Sequence, residues 1–580
     1  MAGSTLDLEV IIEPDHLASE IGNKYSEWSM LRASKIEQWK ELRNYLYATD
    51  TSTTSNAILP WSNNTTTPKL TQIMDNLHAN YFASLFPSRD WMRWEGDSSD
   101  DNSKLVATRV QNYLNHKISK SGFVDTVSDL LNDYIQYGNC FGMVSHETEW
   151  SEAADGSRNV KYRGPKLSRI SPYDIVFNPV ATSFDKTPKI VRSVVTLGEI
   201  QKLIEEDPRN ESLGQIFSKM LHNRECVTAA DAVEKAEGFT ADGFSNIQHY
   251  YGSNYVELLT FYGDIYDSST NKLLKNREIV IVDRAYVIEN KTGESWFGTA
   301  PIFHAGWRNR PDNLYAMGPL DNLVGLQYRI DHLENIKADV FDQIAYPVLK
   351  IKGDVEDFDW EPGAQIFIGE EGDVGYLMPD TTALQADLQI DVLQNRMEEL
   401  AGAPKQAMGI RTPGEKTAFE VQSLQNSASR IFEHKTAHFE RVFLEPILNS
   451  MLEVGRRYMD TIETVRAVNE DKGNTYFIEV SKEDIMAEGK LVPIGARHFA
   501  EKARKVQNLS NLHQMILSDP QLGVHISRKI MAKTIAEELG ELDMYKENVG
   551  VEEQLETQQS MQDAEVQNEE DLQDAAERGI

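Results

Sequence analysis

The chain has 580 residues, 40% of them apolar, and a formal net charge of −33. That length and apolar content allow a large buried core and exclude an overall disordered chain. The acidity argues against an outer surface that binds nucleic acid non-specifically, because such binding needs Lys and Arg to displace counterions.

Two cysteines, Cys140 and Cys226, leave no disulfide framework or cysteine-rich zinc site and fit a reducing compartment. The opening MAGSTLDLEVIIEPDH lacks the basic-then-apolar pattern of a signal peptide. No apolar run approaches the roughly 18 residues of a membrane span.

In chain order, residues 15–48 read as helix, with Leu17, Ile21, Tyr25, Trp28, Leu31, Ile36, Trp39, Leu42 and Leu46 at helical spacing. Residues 49–68 form a polar loop with an apolar plug at Ile58–Trp61. Helix is predicted over 69–86, stopped by Pro87, and again over 103–119 and 123–137. The period then changes. Residues 161–179 and 189–196 read as strands, 197–206 as a short helix, and 207–250 as helical in part. From 255, YVELLTFYGDIYD, REIVIVDRAYVIENK and APIFHAGW predict a compact β module of about 55 residues.

A long helix of about 40 Å follows, opened by Gly318-Pro319 and ended by Pro347. Leu320, Leu323, Leu326, Ile330, Leu333, Ile336, Val340 and Ile344 make its apolar stripe, and Asp321, Arg329, Asp331, Glu334, Lys337 and Asp339 a face expected to be wet. Strands return over 347–380, and 384–401 is helix. A second long helix runs from about 413 to 460, where Pro446 should kink it. TYFIEV (475–480) is a short strand and 497–545 is helical. The last 30 residues hold ten acids and one Arg, a solvated and mobile tail. No internal repeat is present, and the fold class is α+β, mainly helical.

MGIRTPGEKTAFEV (408–421) comes close to a phosphate-binding loop, G-x-x-x-x-G-K-[ST]. Glu415 intervenes between Gly414 and Lys416 and would put a carboxylate where the phosphate should lie, and the stretch before it is not a buried strand. The same letters make a capping box: Thr412 caps, Pro413 takes the first helical position, and Glu415 reaches back. His434 and His438 share a helix face but have no H-E-x-x-H pattern and no evident third ligand, so no metal is expected. No G-x-S-x-G elbow appears and no carboxylate pair stands out, so no catalytic residue and no cofactor is predicted. Trp28, Trp39, Trp61, Trp91 and Trp94 read as core or subunit contacts, since only Arg89 and Arg93 lie near enough to favour base stacking.

The order of parts carries a resemblance. DYIQYGNCFGMVSHE (133–147) and ISPYDIVFNPVA (170–181) are followed by the β module. Next come AMGPLDNLVGLQYRIDHLENI, YPVLKIKG, EPGAQIFI and GEKTAFEVQSLQNSASRIFEHKTAHFERVFLEPIL. Over about residues 15–520 the chain resembles the portal (head-to-tail connector) proteins of tailed double-stranded DNA bacteriophages, the short-tailed type in particular. The resemblance implies a homo-oligomeric ring, normally a dodecamer, at a capsid vertex. Double-stranded DNA passes through the ring, with terminase, a tail adaptor, major capsid protein and scaffold protein as partners and no membrane.

It also implies a subunit plan. Residues 1–210 would be wing, 211–250 a first stem segment, 251–312 a β-rich clip and 313–346 a long stem helix. Residues 347–480 would be wing with a channel loop and the second long helix, 481–550 a helical crown, and 551–580 the acidic tail. Lys405, Arg411, Lys416, Arg329 and Lys337 are then the candidates to meet DNA in the channel, with the acidic GEEGDVG (369–375) a rival for the loop. Leu323, Ile330, Leu333, Ile336 and Val340 are the candidates to pack against a neighbouring copy in a head-to-tail contact. Twelve copies at −33 each carry −396, and a wall of DNA's own sign would let the duplex slide without adhesion. A packaging ATPase, which needs a true phosphate-binding loop, and a shorter ring-forming tail adaptor are the alternatives.

Overall fold

The computed structural model describes residues 9–12, 16–47, 63, 65–87, 91–96, 101–152, 158–206, 210–223, 255–293, 300–345, 347–353, 373–377, 381–401, 432, 434–468 and 475–495. The chain divides into two units, residues 1–467 with 477–495, and residues 468–476 with 496–580. Only residues 468, 475 and 476 of the second unit are described, and the architecture is that of the first.

The N-terminal part comprises β1 (Glu9–Ile12), α1 (Leu17–Leu46), α2 (Lys69–Leu85), β2 (Met92–Gly96), α3 (Asp101–Ser121) and α4 (Phe123–Gln136). Then come β3 (Asn139–Glu152), β4 (Arg158–Ile170), β5 (Ile175–Phe177), β6 (Lys189–Thr196), α5 (Leu197–Glu206) and α6 (Asn210–Asn223). Six strands follow: β7 (Tyr255–Asp267), β8 (Lys272–Val282), β9 (Tyr286–Thr292), β10 (Ile302–Gly306), β11 (Arg308–Arg310) and β12 (Asn313–Met317). The remainder comprises α7 (Val324–Ala345), β13 (Val348–Lys352), β14 (Asp373–Leu377), α8 (Asp387–Ala401), α9 (Glu445–Tyr458), β15 (Ile462–Val468), β16 (Thr475–Ser481) and β17 (Gly489–Pro493). The chain is a mixture of helix and strand, as an α+β protein should be.

α1 explains how the N-terminal half coheres. Its buried residues recur every three to four positions along 30 residues. Ile21, Tyr25 and Trp28 lie on the β-sheet core, Ile36 and Trp39 in an aromatic cluster with Tyr137, Tyr173 and Tyr315, and Leu42, Tyr45 and Leu46 in the main core. Between the first two groups sits Arg32, 1% exposed. Its guanidinium donates to the carbonyls of Pro172 at 2.8 Å, Tyr173 at 2.6 Å and Ile175 at 2.6 Å. A buried cation is tolerated here because several of its N–H groups meet main-chain oxygens of the PYDI turn.

Trp28, Trp39, Trp91 and Trp94 are all core residues. Trp61 and Arg89 lie outside the described residues, and Arg93 is exposed.

The β module is not self-contained. β7 pairs with β6 on one side and β8 on the other, and β1 lies parallel to the far half of β7, so the sheet runs β5-β6-β7-β8-β9 with β1 attached. β10 belongs to a second sheet, β10-β3-β4. The predicted module is therefore joined through main-chain hydrogen bonds to strands from before residue 210. β3 itself is a strand the periodicity did not reveal, since CFGMV is apolar at consecutive positions and largely buried on both faces.

Near Pro446 the helix shifts register. A π turn covers Glu440–Leu444, and the Glu445 N–H bonds back to the Glu440 carbonyl. Proline lacks an N–H and crowds the carbonyl four residues earlier; a wider turn just ahead of it relieves both problems. Residues 413–431 of the expected helix lie outside the described residues, as do the motif at 408–421 and the helical region at 497–545.

Candidate functional site: helix α7 and its surroundings

The expected stem helix starts later than predicted. Residues 313–317 are strand β12, and Gly318-Pro319 begins a turn. The Gly318 N–H donates to Asp321 Oδ2 at 3.2 Å, and Lys35 Nζ pairs with the same oxygen at 2.7 Å. That side-chain turn holds 318–323 out of the helix, which begins at Val324, runs 22 residues and spans about 33 Å.

Its approach to the body is close. Gly138 has φ +70°, and a Cβ there would collide with the main chain of Gly318. Beside it, Asn139 works as a strand partner. Its Nδ2 donates to the carbonyls of Tyr137 and Ala316, and its Oδ1 accepts the Ala316 N–H at 2.9 Å. His304 Nε2 lies 3.1 Å from the same Oδ1. Burial first, and then nearby Lys189, hold the His304 imidazole down to about 3, so it is neutral. Stretches 133–147 and 170–181, which carry the resemblance, meet at Trp39 through Tyr137 and Tyr173, and Tyr315, just ahead of the stretch 316–336, touches the same ring.

The faces of α7 are not as expected. Leu323 and Ile330 are fully buried in the chain's own core, so they are not available to a neighbouring copy. Leu333 packs partly on that core, while Ile336 and Val340 are half-buried. Of the face expected to be wet, Asp331 is 0% exposed, and Gln327 and Asn335, in line with it at intervals of four, are 1% and 0% exposed.

Of the channel candidates, Arg329 is exposed. Lys337 is held within the chain by Asp387 at 2.6 Å and Glu334 at 3.3 Å, and its hydrogen bond to Asp387 is the first cause of a raised pKa. Lys405, Arg411 and Lys416 lie outside the described residues. In the rival GEEGDVG loop, residues 373–375 are the start of β14 and pair with Lys350–Lys352, so that part is strand.

α8 packs on α7 and α2, with Asp387 beside Lys337 and Glu398 beside Lys69 at the start of α2. Lys69 Nζ and Glu398 Oε1 are 2.6 Å apart and both side chains are withdrawn from water.

A cavity of about 930 Å³ opens beside β3, lined by His146, Phe184, Tyr262, Lys291, His304 and Tyr458 among others. Its lining mixes aromatic rings with charged side chains. Among the described residues no group of three or more His, Cys, Asp or Glu is placed to hold a metal. His434 is exposed and His438 half-buried. Among the described residues no helix is long and apolar enough to cross a membrane.

The residues missed in the sequence are Gln327, Asp331, Asn335 and Asp339, a row at intervals of four. Asn335 with Asp331 and Asp339 inside one helix, residue types that favour caps and turns over helix interiors, was the available signal. No protein-family model matches the chain, and no curated protein matches it.

Proposed function

We propose that the chain is a portal protein: a non-enzymatic subunit of a ring, normally of twelve, at a capsid vertex. Double-stranded DNA is packaged and ejected through the ring's bore. The ring meets terminase during packaging and a tail adaptor afterwards, within a shell of capsid and scaffold protein.

The observation that carries this reading is the order of the resembling stretches from 133–147 through 170–181 and 316–336 to 414–448. The α+β content and a 22-residue helix followed by an antiparallel strand pair are compatible with it. So is the net charge of −33, which disfavours adhesion of DNA to the wall.

Negative-stain images of the purified protein test the reading. Rings with a central hole support it; solitary, poreless particles at every concentration overturn it. ATP turnover abolished by Lys416→Ala would instead assign the chain to the packaging motor.

A further inference from the structure

In this acidic chain several cations meet carboxylates: Lys69 meets Glu398, Lys117 meets Glu463 and Arg169 meets Asp133. One group of basic side chains does not. It comprises Arg308 on β11 and His434, Lys435, His438 and Arg441 on the helical residues that enter the π turn. Arg308 and Lys435 both stand on the Trp307 ring, 5.1 and 4.3 Å from its centroid. Lys435 Nζ also donates to the Trp307 carbonyl. His434, His438 and Arg441 follow one another at intervals of four and three, which puts them on one helix face. Arg308, His434 and Arg441 are exposed, and Lys435 and His438 are half-buried.

The electrostatics of the group have one sign. Burial first, and then Lys435, Arg441 and His434, hold the His438 imidazole below its ordinary value, against a hydrogen bond to the Gly306 main chain. Burial and then Arg308 lower the Lys435 ammonium. Among the described residues none of the five has a carboxylate within ion-pair distance. The acids that follow on the same helix are turned elsewhere. A Cβ at Gly495 would strike Glu440 Oε1, so that carboxyl lies against residue 495, and Glu445 pairs with Lys490 at 3.2 Å. Like charges gathered without a counter-charge repel, and a bound anion relieves the repulsion.

We propose that Arg308, His434, Lys435, His438 and Arg441 form a contact surface for the phosphodiester backbone of a DNA duplex. Extent favours a polymer over a single ion: His434 to Arg441 covers about 10 Å of helix, and Arg308 adds a second element. A duplex offers one phosphate charge about every 1.7 Å of its axis, and each guanidinium can hold a phosphate through two parallel N–H groups. The ring that carries the cations is not offered to bases, since Trp307 is 3% exposed and its Nε1 donates to Tyr81 Oη at 3.2 Å. The surface therefore meets backbone and not sequence. The chain's remaining negative charge does not forbid this contact, because at physiological salt it is screened beyond about 8 Å. Naming DNA as the source of the phosphates rests on the portal reading.

The test is fluorescence anisotropy of a labelled duplex of about 20 base pairs, titrated with the full-length protein in about 0.1 M salt. Arg308→Gln/Arg441→Gln should weaken binding at least tenfold. Lys161→Gln/Lys490→Gln, which removes two exposed lysines that already have carboxylate partners, should change it less than twofold. Arg308→Lys/Arg441→Lys keeps both charges and should stay within threefold of the parent, which separates lost charge from lost folding. Absence of binding, or equal losses from the two glutamine pairs, would overturn the proposal. So would displacement of the duplex by inorganic phosphate at equal phosphate concentration, which would mark a single-ion site, or by polyglutamate at equal charge, which would mark an acidic protein partner. Images of the same samples keep the two readings apart. Rings that do not bind the duplex sink this surface alone, and poreless particles that bind it through these arginines sink the portal reading alone.

Discussion

Lys69 and Glu398 form an ion pair of 2.6 Å across 329 residues of sequence, with 8% and 4% of their side chains exposed. The pair ties the first turn of α2 to the last turns of α8. Such a pair is weak evidence of net stability but expensive to break from one side. Glu398→Ala should therefore destabilise by about 3–5 kcal/mol, whereas the double change Lys69→Met with Glu398→Leu should lie much closer to the parent. Urea unfolding midpoints of the two variants check this; equal losses would show that the charge left behind is not what matters.

Arg32 gives a second test. A lysine ammonium cannot span the carbonyls of Pro172, Tyr173 and Ile175 that one guanidinium reaches. Arg32→Lys is expected to destabilise by about 1–3 kcal/mol for each carbonyl left unmet. Amide exchange should rise first in the neighbouring β5–β6 pair, where it would be measured.

Glycines separate backbone strain from collision. Gly122 has φ +68° with nothing within 4 Å of where a Cβ would stand, whereas Gly138 has φ +70° with the Gly318 main chain in the way. Gly122→Ala should cost only the conformational strain, about 1 kcal/mol. Gly138→Ala should cost several times more, because β12 and the turn before α7 must move. Similar thermal midpoints for the two variants would contradict the close approach.

Glu440 sets a pH dependence. It begins the π turn, its Oε1 is buried without a hydrogen-bond partner among the described residues, and burial pushes its carboxyl up to about 7. A carboxyl in the unfolded chain titrates near 4.5. Between these values the folded state holds a proton that the unfolded state has lost, so stability falls as pH rises from 4.5 to 7, and the loss is complete above 7. Glu440→Gln should then raise the thermal midpoint at about pH 8 and lose that advantage near pH 4.5. An advantage that does not change with pH would locate the effect in packing instead.

Much of the fold was legible because helical periodicity is local. The predicted helices 15–48, 69–86, 103–119 and 123–137 correspond to α1, α2, α3 and α4, each carrying its apolar stripe within its own residues. The strands at 189–196 and 255–267 were legible for the same reason. β3 was not, since a strand buried on both faces has no alternation to read. Of the site candidates, Leu323 and Ile330 were correctly recognised as an apolar stripe, but which molecule covers that stripe is not a property of spacing.

The sequence by itself determined where helices α1 to α4 and strands β6 and β7 form and that the net charge is strongly negative, because propensity, period and charge belong to the residues. Tertiary structure alone decided which face of α7 is covered. Asp331 reads as solvent-facing and Asn335 carries no apolar signal, yet both are fully buried, because their partners Thr67 and Thr65 arrive from 264 and 270 residues away. A polar side chain can be buried once a main-chain group meets it, and no local pattern announces a partner that remote.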